Sequence, residues 1–182
     1  MSEKEIIVQC SPTLAGIKTG NLFSLSITSR DELLNFLRNL NRRLIMKGIT
    51  FIPLRISSGS ALIYAFRPTL LRQCLRLPDA ANLLRSRGYD PADHISCIRT
   101  LITRIKGDTF PHEIGLFLGY PADDVNGFIK NNGRNYLICG MWKVYGDKIK
   151  CERLFRRYRE CTDRYLDEYL HGNTVERLTV TV

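Results

Sequence analysis

The sequence predicts an α+β domain: a small, mainly antiparallel sheet, made of a β-α-β-β start plus one later strand, covered by several helices. Three observations lead there. Two β-rich runs, residues 49–56 and 61–66, flank the turn Ser57-Ser58-Gly59-Ser60, the pattern of strands joined by a short connection. Leu33, Leu37, Leu40 and Leu44 recur at helical spacing just before them. Six of the seven prolines (Pro12, Pro68, Pro78, Pro91, Pro111 and Pro121) stand where helices are expected to begin. Proline suits that position because it has no N–H to leave unpaired and its φ already fits the first turn. The element order is not the regular strand–helix alternation of a doubly wound parallel sheet.

Taken in order, Ser11-Pro12 reads as the cap and first residue of a short helix. Residues 21–27 (NLFSLSI) alternate and place Phe23, Leu25 and Ile27 on one face of a strand. Ser29 and Glu32 make a capping box for the leucine helix, Lys47 suits the negative end of its dipole, and Gly48 stops it. Pro53 cannot donate to a ladder, so its strand must lie at an edge or carry a bulge. Asp90-Pro91 with Asp93 opens a helix whose inward stripe is expected to be Ile95, Ile98, Ile102 and Ile105. Residues 110–129, FPHEIGLFLGYPADDVNGFI, read as two short helices joined at Gly119. Ile114, Phe117 and Leu118 face inward from the first, and Val125, Phe128 and Ile129 from the second. NNGRN (131–135) is a turn, YLICGMWKVY (136–145) the later strand with Gly140 as a bulge, and residues 148–170 a long helix. That helix is expected to bury Leu154, Tyr158, Cys161, Tyr165 and Tyr169. The tail, 174–182, is expected to form a short strand or to fray. The expected organisation is a single domain over 1–182, with the β-α-β-β part at about 20–66, a helical part at about 67–131, and the strand plus C-terminal helix at about 135–171.

Composition narrows the class. A hydrophobic fraction of 44% supplies a core, and there is no run of roughly 18 apolar residues to span a membrane. The first residues, MSEKEIIVQCSPT, lack the long apolar stretch of a secretory signal, so a cytoplasmic protein is expected. The six cysteines form no CxxC pair and are expected to be reduced thiols. They share no metal spacing with the three histidines, so neither a metal nor a cofactor is expected. The formal net charge of +9 favours an anionic ligand or a partner protein, with nucleic acid possible but less favoured.

Three function classes follow. The leading one is a non-enzymatic binding or regulatory domain recognising an anionic ligand or a protein. The second is a small thiol-dependent enzyme. Cys10 just before a helix start would have a lowered thiol pKa, and Lys18 and His112 could neighbour it, with Glu113 beside His112 as a second acid–base candidate. The third is helix-turn-helix DNA reading through residues 111–130, where Gly115 would let two helices cross closely. Against it, Asp123 and Asp124 at the start of the second helix would repel phosphate and suit the helix dipole instead. Those two carboxylates point about 100° apart and do not converge on a cation. Gly16-Ile17-Lys18-Thr19-Gly20 lacks the spacing of a phosphate loop. Trp142 and Lys143, with Tyr136 and Tyr145, interleave aromatic and basic groups that could stack a base or hold an anion, though a lone strand tryptophan usually anchors a core. The ligand site is expected where Cys10, Lys18, Asn21, His112, Glu113 and Lys143 converge.

CSPTLAGIKTGNLF (10–23), FPHEIGLFLGYPADDVNGFI (110–129) and WKVYGD (142–147) resemble the landmarks of a bacterial family known as domain of unknown function 3793, seen mainly in anaerobic Firmicutes. The resemblance runs from about residue 10 to 165. It implies a bacterial, cytoplasmic protein and supplies no activity. The chain has Gln9 where many members carry a histidine before the cysteine, which weakens a His-Cys pair there as an indispensable site.

Overall fold

The computed structural model describes residues 2–182. Its helices are α1 (Glu3–Leu14), α2 (Arg30–Leu44), α3 (Pro68–Leu75), α4 (Pro78–Arg85), α5 (His94–Ile105), α6 (Ile114–Phe117), α7 (Ala122–Lys130), α8 (Lys148–Leu170) and α9 (Val175–Leu178). Its strands are β1 (Gly20–Ser26), β2 (Thr50–Ser57), β3 (Ser60–Phe66), β4 (Ile138–Cys139) and β5 (Lys143–Val144). The chain is α+β and packs as two compact units. One holds residues 2–69 and Glu160–Val182, the other Leu70–Arg159.

The first unit is built on an antiparallel sheet of order β1-β3-β2. β3 is central and pairs Ile63 with Phe23 on one side and Ala65 with Phe51 on the other. Pro53 satisfies both of its expected alternatives: β2 is an edge strand, and its register shifts between Pro53 and Arg55. Ile6, Ile7, Cys10 and Leu14 of α1 join Leu33, Leu37, Leu40 and Leu44 of α2 and the inward residues of the sheet in one buried cluster. Ser29 caps α2 through the amides of Asp31 and Glu32, but Glu32 turns to the Thr28 hydroxyl rather than closing a reciprocal box. Gly48 ends the following 3-10 turn at φ 76°.

The opening helix differs from expectation. It begins at Ser2, whose hydroxyl and backbone pair reciprocally with Glu5, and Ser11 and Pro12 lie in its last turn. Pro12 is tolerated there even though it breaks the ladder, and Ser11 Oγ donates to Ile7 O at 2.5 Å. The tail neither pairs as a strand nor frays. It forms α9, capped by Thr174, and is then held by Val180 N donating to Leu14 O at 3.1 Å. Arg67, 1% exposed, fixes it further. Its guanidinium donates to Thr13 O and Leu14 O, both at 2.6 Å, to Lys47 O at 2.9 Å and to Val180 O at 2.8 Å. Thr13 O and Leu14 O also accept from Gly16 N and Val180 N, both at 3.1 Å, so the guanidinium adds a second donor at the end of α1 and ties it to the carbonyls of Lys47 and Val180. Lys47 Nζ donates to Glu176 O and to Thr179 O at 2.7 Å.

The second unit is mainly helical. Pro68 and Pro78 are the first residues of α3 and α4, and Pro121 caps α7. Pro91 and Pro111 instead precede α5 and α6 by turns, because Asp93 supplies the α5 cap and the residues after Pro111 close a turn first. The buried stripe of α5 is Cys97, Ile98, Leu101 and Ile105, with Ile95 51% exposed, so the expected isoleucine stripe is rotated. The later strand is also corrected. Residues 136–145 fold back on themselves as a β4–β5 ribbon, separate from the three-stranded sheet, with Ile138 paired to Val144 and Gly140 N bonded to Trp142 O at 3.0 Å. α8 occupies the expected residues. In this unit it buries Cys151, Phe155 and Tyr158, of which Cys151 and Phe155 lie outside the expected stripe.

Candidate functional site

Asp124 organises the site. It sits in the first turn of α7 yet is only 2% exposed. Its Oδ1 accepts from Tyr145 N at 2.7 Å and Gly146 N at 2.8 Å, and its Oδ2 from Trp142 Nε1 at 2.7 Å and Cys151 Sγ at 3.3 Å. One buried carboxylate thus ties α7 to the β4–β5 ribbon and to the start of α8. Charge-assisted bonds of this kind are roughly twice as strong as neutral ones, and a buried carboxylate needs them. Burial, then the nearby carboxylate, pushes the Cys151 thiol up to about 12. Packing continues the frame. The Trp142 ring stacks on Tyr120 at 4.4 Å and meets Phe155 edge-on at 4.5 Å. A Cβ on Gly140 would run into the Phe155 ring, so the ribbon turns there only as glycine. A Cβ on Gly115 would lie 2.7 Å from Val125, which confirms the close crossing expected at that glycine.

The frame leaves a cavity of about 280 Å³. Ile114, Tyr120, Val125, Phe128, Met141 and Trp142 make it largely apolar, and His112, Asp124, Cys139 and Lys143 bring polar groups to it. The His112 ring lies 4.8 Å from that of Phe128. Lys143 Nζ is 5.0 Å from the Tyr136 ring centre and 5.8 Å from that of Phe128, and donates to Gly133 O at 2.8 Å. An ammonium has three N–H groups, and one such bond leaves donors for an anion. Desolvation raises the Tyr120 hydroxyl to about 12, so it remains a neutral donor.

Of the six residues expected to converge, His112 and Lys143 meet at this cavity, joined by Trp142, a separate ligand-binding candidate. Glu113 does not line it. Its side chain is 1% exposed, ion-paired with Arg104 at 2.7 Å and bonded to the Tyr89 hydroxyl at 2.9 Å. Cys10, Lys18 and Asn21 belong to the other unit and are used there in packing. Lys18, 7% exposed, donates to Gly20 O and to Asn21 Oδ1 at 2.8 Å. Asn21 donates onward to Gln9 O and accepts from Thr13 at 3.3 Å. Burial pulls Lys18 down to about 7. Cys10 is fully buried in the third turn of α1, far from the positive end of the dipole, and burial pushes its thiol well above the ordinary range. The expected activation by a helix start is therefore absent. Asp124, Phe128 and Tyr120 carry the site without standing out as site residues in the sequence. The Asp123-Asp124 pair reads as helix-dipole chemistry, and nothing local says that one of the two turns inward to meet a ribbon some twenty residues later.

The helix pair at 111–130 does not present a free reading helix. α7 packs against α4 and β5, with Asp124 and Val125 buried. Among the described residues no group of three or more His, Cys, Asp or Glu side chains could hold a metal ion, and no helix is long and apolar enough to cross a membrane.

An α+β chain with a carboxylate-tied aromatic cavity defines a structural class and no reaction. The chain belongs to the family described as "Protein of unknown function (DUF3793)", whose model matches residues 6–179. No curated protein and no solved structure matches it.

Proposed function

We propose that this protein is a bacterial, cytoplasmic, non-enzymatic binding or regulatory domain whose ligand is a small, flat, anionic molecule held in the cavity of the second unit. The observation that carries this reading is the joint presence of His112, Trp142 and Lys143 on one largely apolar cavity. Apolar walls with a few convergent polar groups are the usual make-up of a small-molecule site. A volume of about 280 Å³ suits one or two fused rings. The rings of Tyr120, Phe128 and Trp142 would take the body of the ligand, and the ammonium of Lys143 its negative charge. A protein partner is the second reading, favoured by Met141, 42% exposed at the ribbon turn.

The test uses Trp142, the only tryptophan in the chain, as the reporter. Benzoate and indole-3-acetate should change its fluorescence saturably, and their neutral amides should bind more weakly. Lys143→Gln should raise the dissociation constant about tenfold, the equivalent of one charge-assisted bond. A Trp142 signal indifferent to both acids at millimolar concentration, or Lys143→Gln binding them unchanged, overturns the reading.

A further inference from the structure

We propose that the solvent face of the first half of α8 docks the phosphate backbone of a nucleic acid without regard to base sequence. The charges of this helix are segregated along its length. Residues 148–159 carry Lys148, Lys150, Arg153, Arg156, Arg157 and Arg159 against Glu152, six minus one, or +5. Residues 160–170 carry Arg164 against Glu160, Asp163, Asp167 and Glu168, one minus four, or −3. A helix dipole favours the reverse, with anions at the N-terminus and cations at the C-terminus. The first turn of α8 has no acid and its last turn no base. Asp147, just outside, supplies a carboxylate to that end by accepting from Lys150 N at 2.9 Å. Charges set against a local rule, with no packing gain, mark positions held for another purpose.

The arrangement on the helix surface is equally pointed. Cys151, Phe155 and Tyr158 face inward. At 3.6 residues per turn the opposite face presents Lys150, Arg153, Arg156 and Arg157, with Glu152 off to one side. All four cations are exposed, and none is in an ion pair among the described residues. Lys150, Arg153 and Arg157 border a shallow cleft of about 270 Å³ with Asp147, Ile149 and Leu154. They rise along the axis in steps of about 4.5 and 6 Å. A row of cations so spaced fits repeated charges rather than one small anion. Three of the four are arginines, whose planar forks match phosphate oxygens two at a time. An anionic membrane fits less well, because surface helices bury an apolar face in lipid and the apolar face of α8 is already buried in protein.

The proposal does not rest on the cavity. Its test is fluorescence anisotropy of the full chain with labelled mixed-sequence oligonucleotides, single- and double-stranded, across a salt series. Affinity should fall linearly on a log–log plot, with two unrelated sequences bound alike. In the triple variant Lys150→Gln/Arg153→Gln/Arg157→Gln affinity should drop more than tenfold, and the slope should shrink by about 2.7 for a duplex, about 0.9 per lost phosphate contact. Arg153→Gln alone should remove about 0.9 of slope, which keeps the test decisive if the triple variant misfolds. Arg42→Gln, on exposed α2 surface, should change nothing. The proposal is overturned by no binding at about 50 mM salt, where phosphate contacts are strong, by a folded triple variant that binds as tightly as wild type, or by preference for phosphatidylserine vesicles or poly-glutamate over the oligonucleotides.

Discussion

In the first unit basic side chains, with Arg67 and Lys18 buried and Lys47 half-buried, close the structure on itself. Arg67 and Lys47 satisfy carbonyls of helix ends and tail, and Lys18 satisfies the α1–β1 connection. In the second unit the central buried charge is an anion, Asp124, and the cations of the cavity rim and of α8 keep donors or faces toward solvent. Both units hide charge in the same physical way, by saturating it with hydrogen bonds. They differ in what remains afterwards. The first unit leaves no cation of this group with a ligand to seek, and the second leaves several. Net basicity is therefore a poor guide to function until the cations used in folding are set apart from those left over.

The sharpest way to break this contrast is Arg67→Met. It should destabilise the protein by about 4 kcal/mol in urea unfolding, because four carbonyls lose a charged donor at once. A loss under about 1 kcal/mol would mean that water replaces the guanidinium and that the first unit is not closed by it. Asp124→Ala should follow, at about 3 kcal/mol, since it orphans the indole N–H and two backbone amides. It should also red-shift Trp142 emission as the ribbon loosens, and an unshifted spectrum would separate the carboxylate from the site. Gly140→Ala should cost about 2 kcal/mol through overpacking against Phe155. The same change at Gly59, which has open space but φ +76°, should cost about 1 kcal/mol through backbone strain alone. Equal values would leave the Phe155 contact without weight.

Lys18 makes a prediction in pH. Burial takes its pKa from 10.5 to about 7, so between those values the unfolded chain holds a proton that the folded one has released. Stability must then rise with pH from about 7, by at most about 1.4 kcal/mol per unit. Above about 9 the buried Cys10 opposes the trend, because its thiol ionises only on unfolding. Denaturant midpoints at pH 7, 8 and 9 should therefore climb in the wild type and stay flatter in Lys18→Met. Parallel pH profiles for the two would sink the assignment. The smallest effect expected is that of Arg153→Gln and Arg157→Gln on stability, within about 0.5 kcal/mol. A larger loss would place those cations with the first unit's, as structural groups.

How much of this was readable beforehand depended on the reach of the interaction involved. The leucine stripe and Ser29 cap of α2, the stop at Gly48, the edge and bulge at Pro53 and the span of α8 rest on neighbours within a few residues, and each stands as read. Pro12 misled because a proline in a last turn and one in a first turn look alike locally, although Ser2 and Glu5 carried the true start. The run 136–145 read as one strand because its apolar content is right for one. Only Phe155, nineteen residues beyond Tyr136, requires the glycine turn that folds it into a ribbon.

By itself, then, the sequence settled the α+β class, the antiparallel β2–β3 pair, most helix positions and the family. These follow from period, caps and turn chemistry, which act over one or two turns of chain. Tertiary structure alone decided which charges are consumed and which are left. Arg67 and Arg153 are the same residue type in similarly basic surroundings, and they part only when one meets four carbonyls drawn from three distant segments and the other meets water. A buried charge is tolerated only where such long-range partners arrive together, and no local pattern records their arrival.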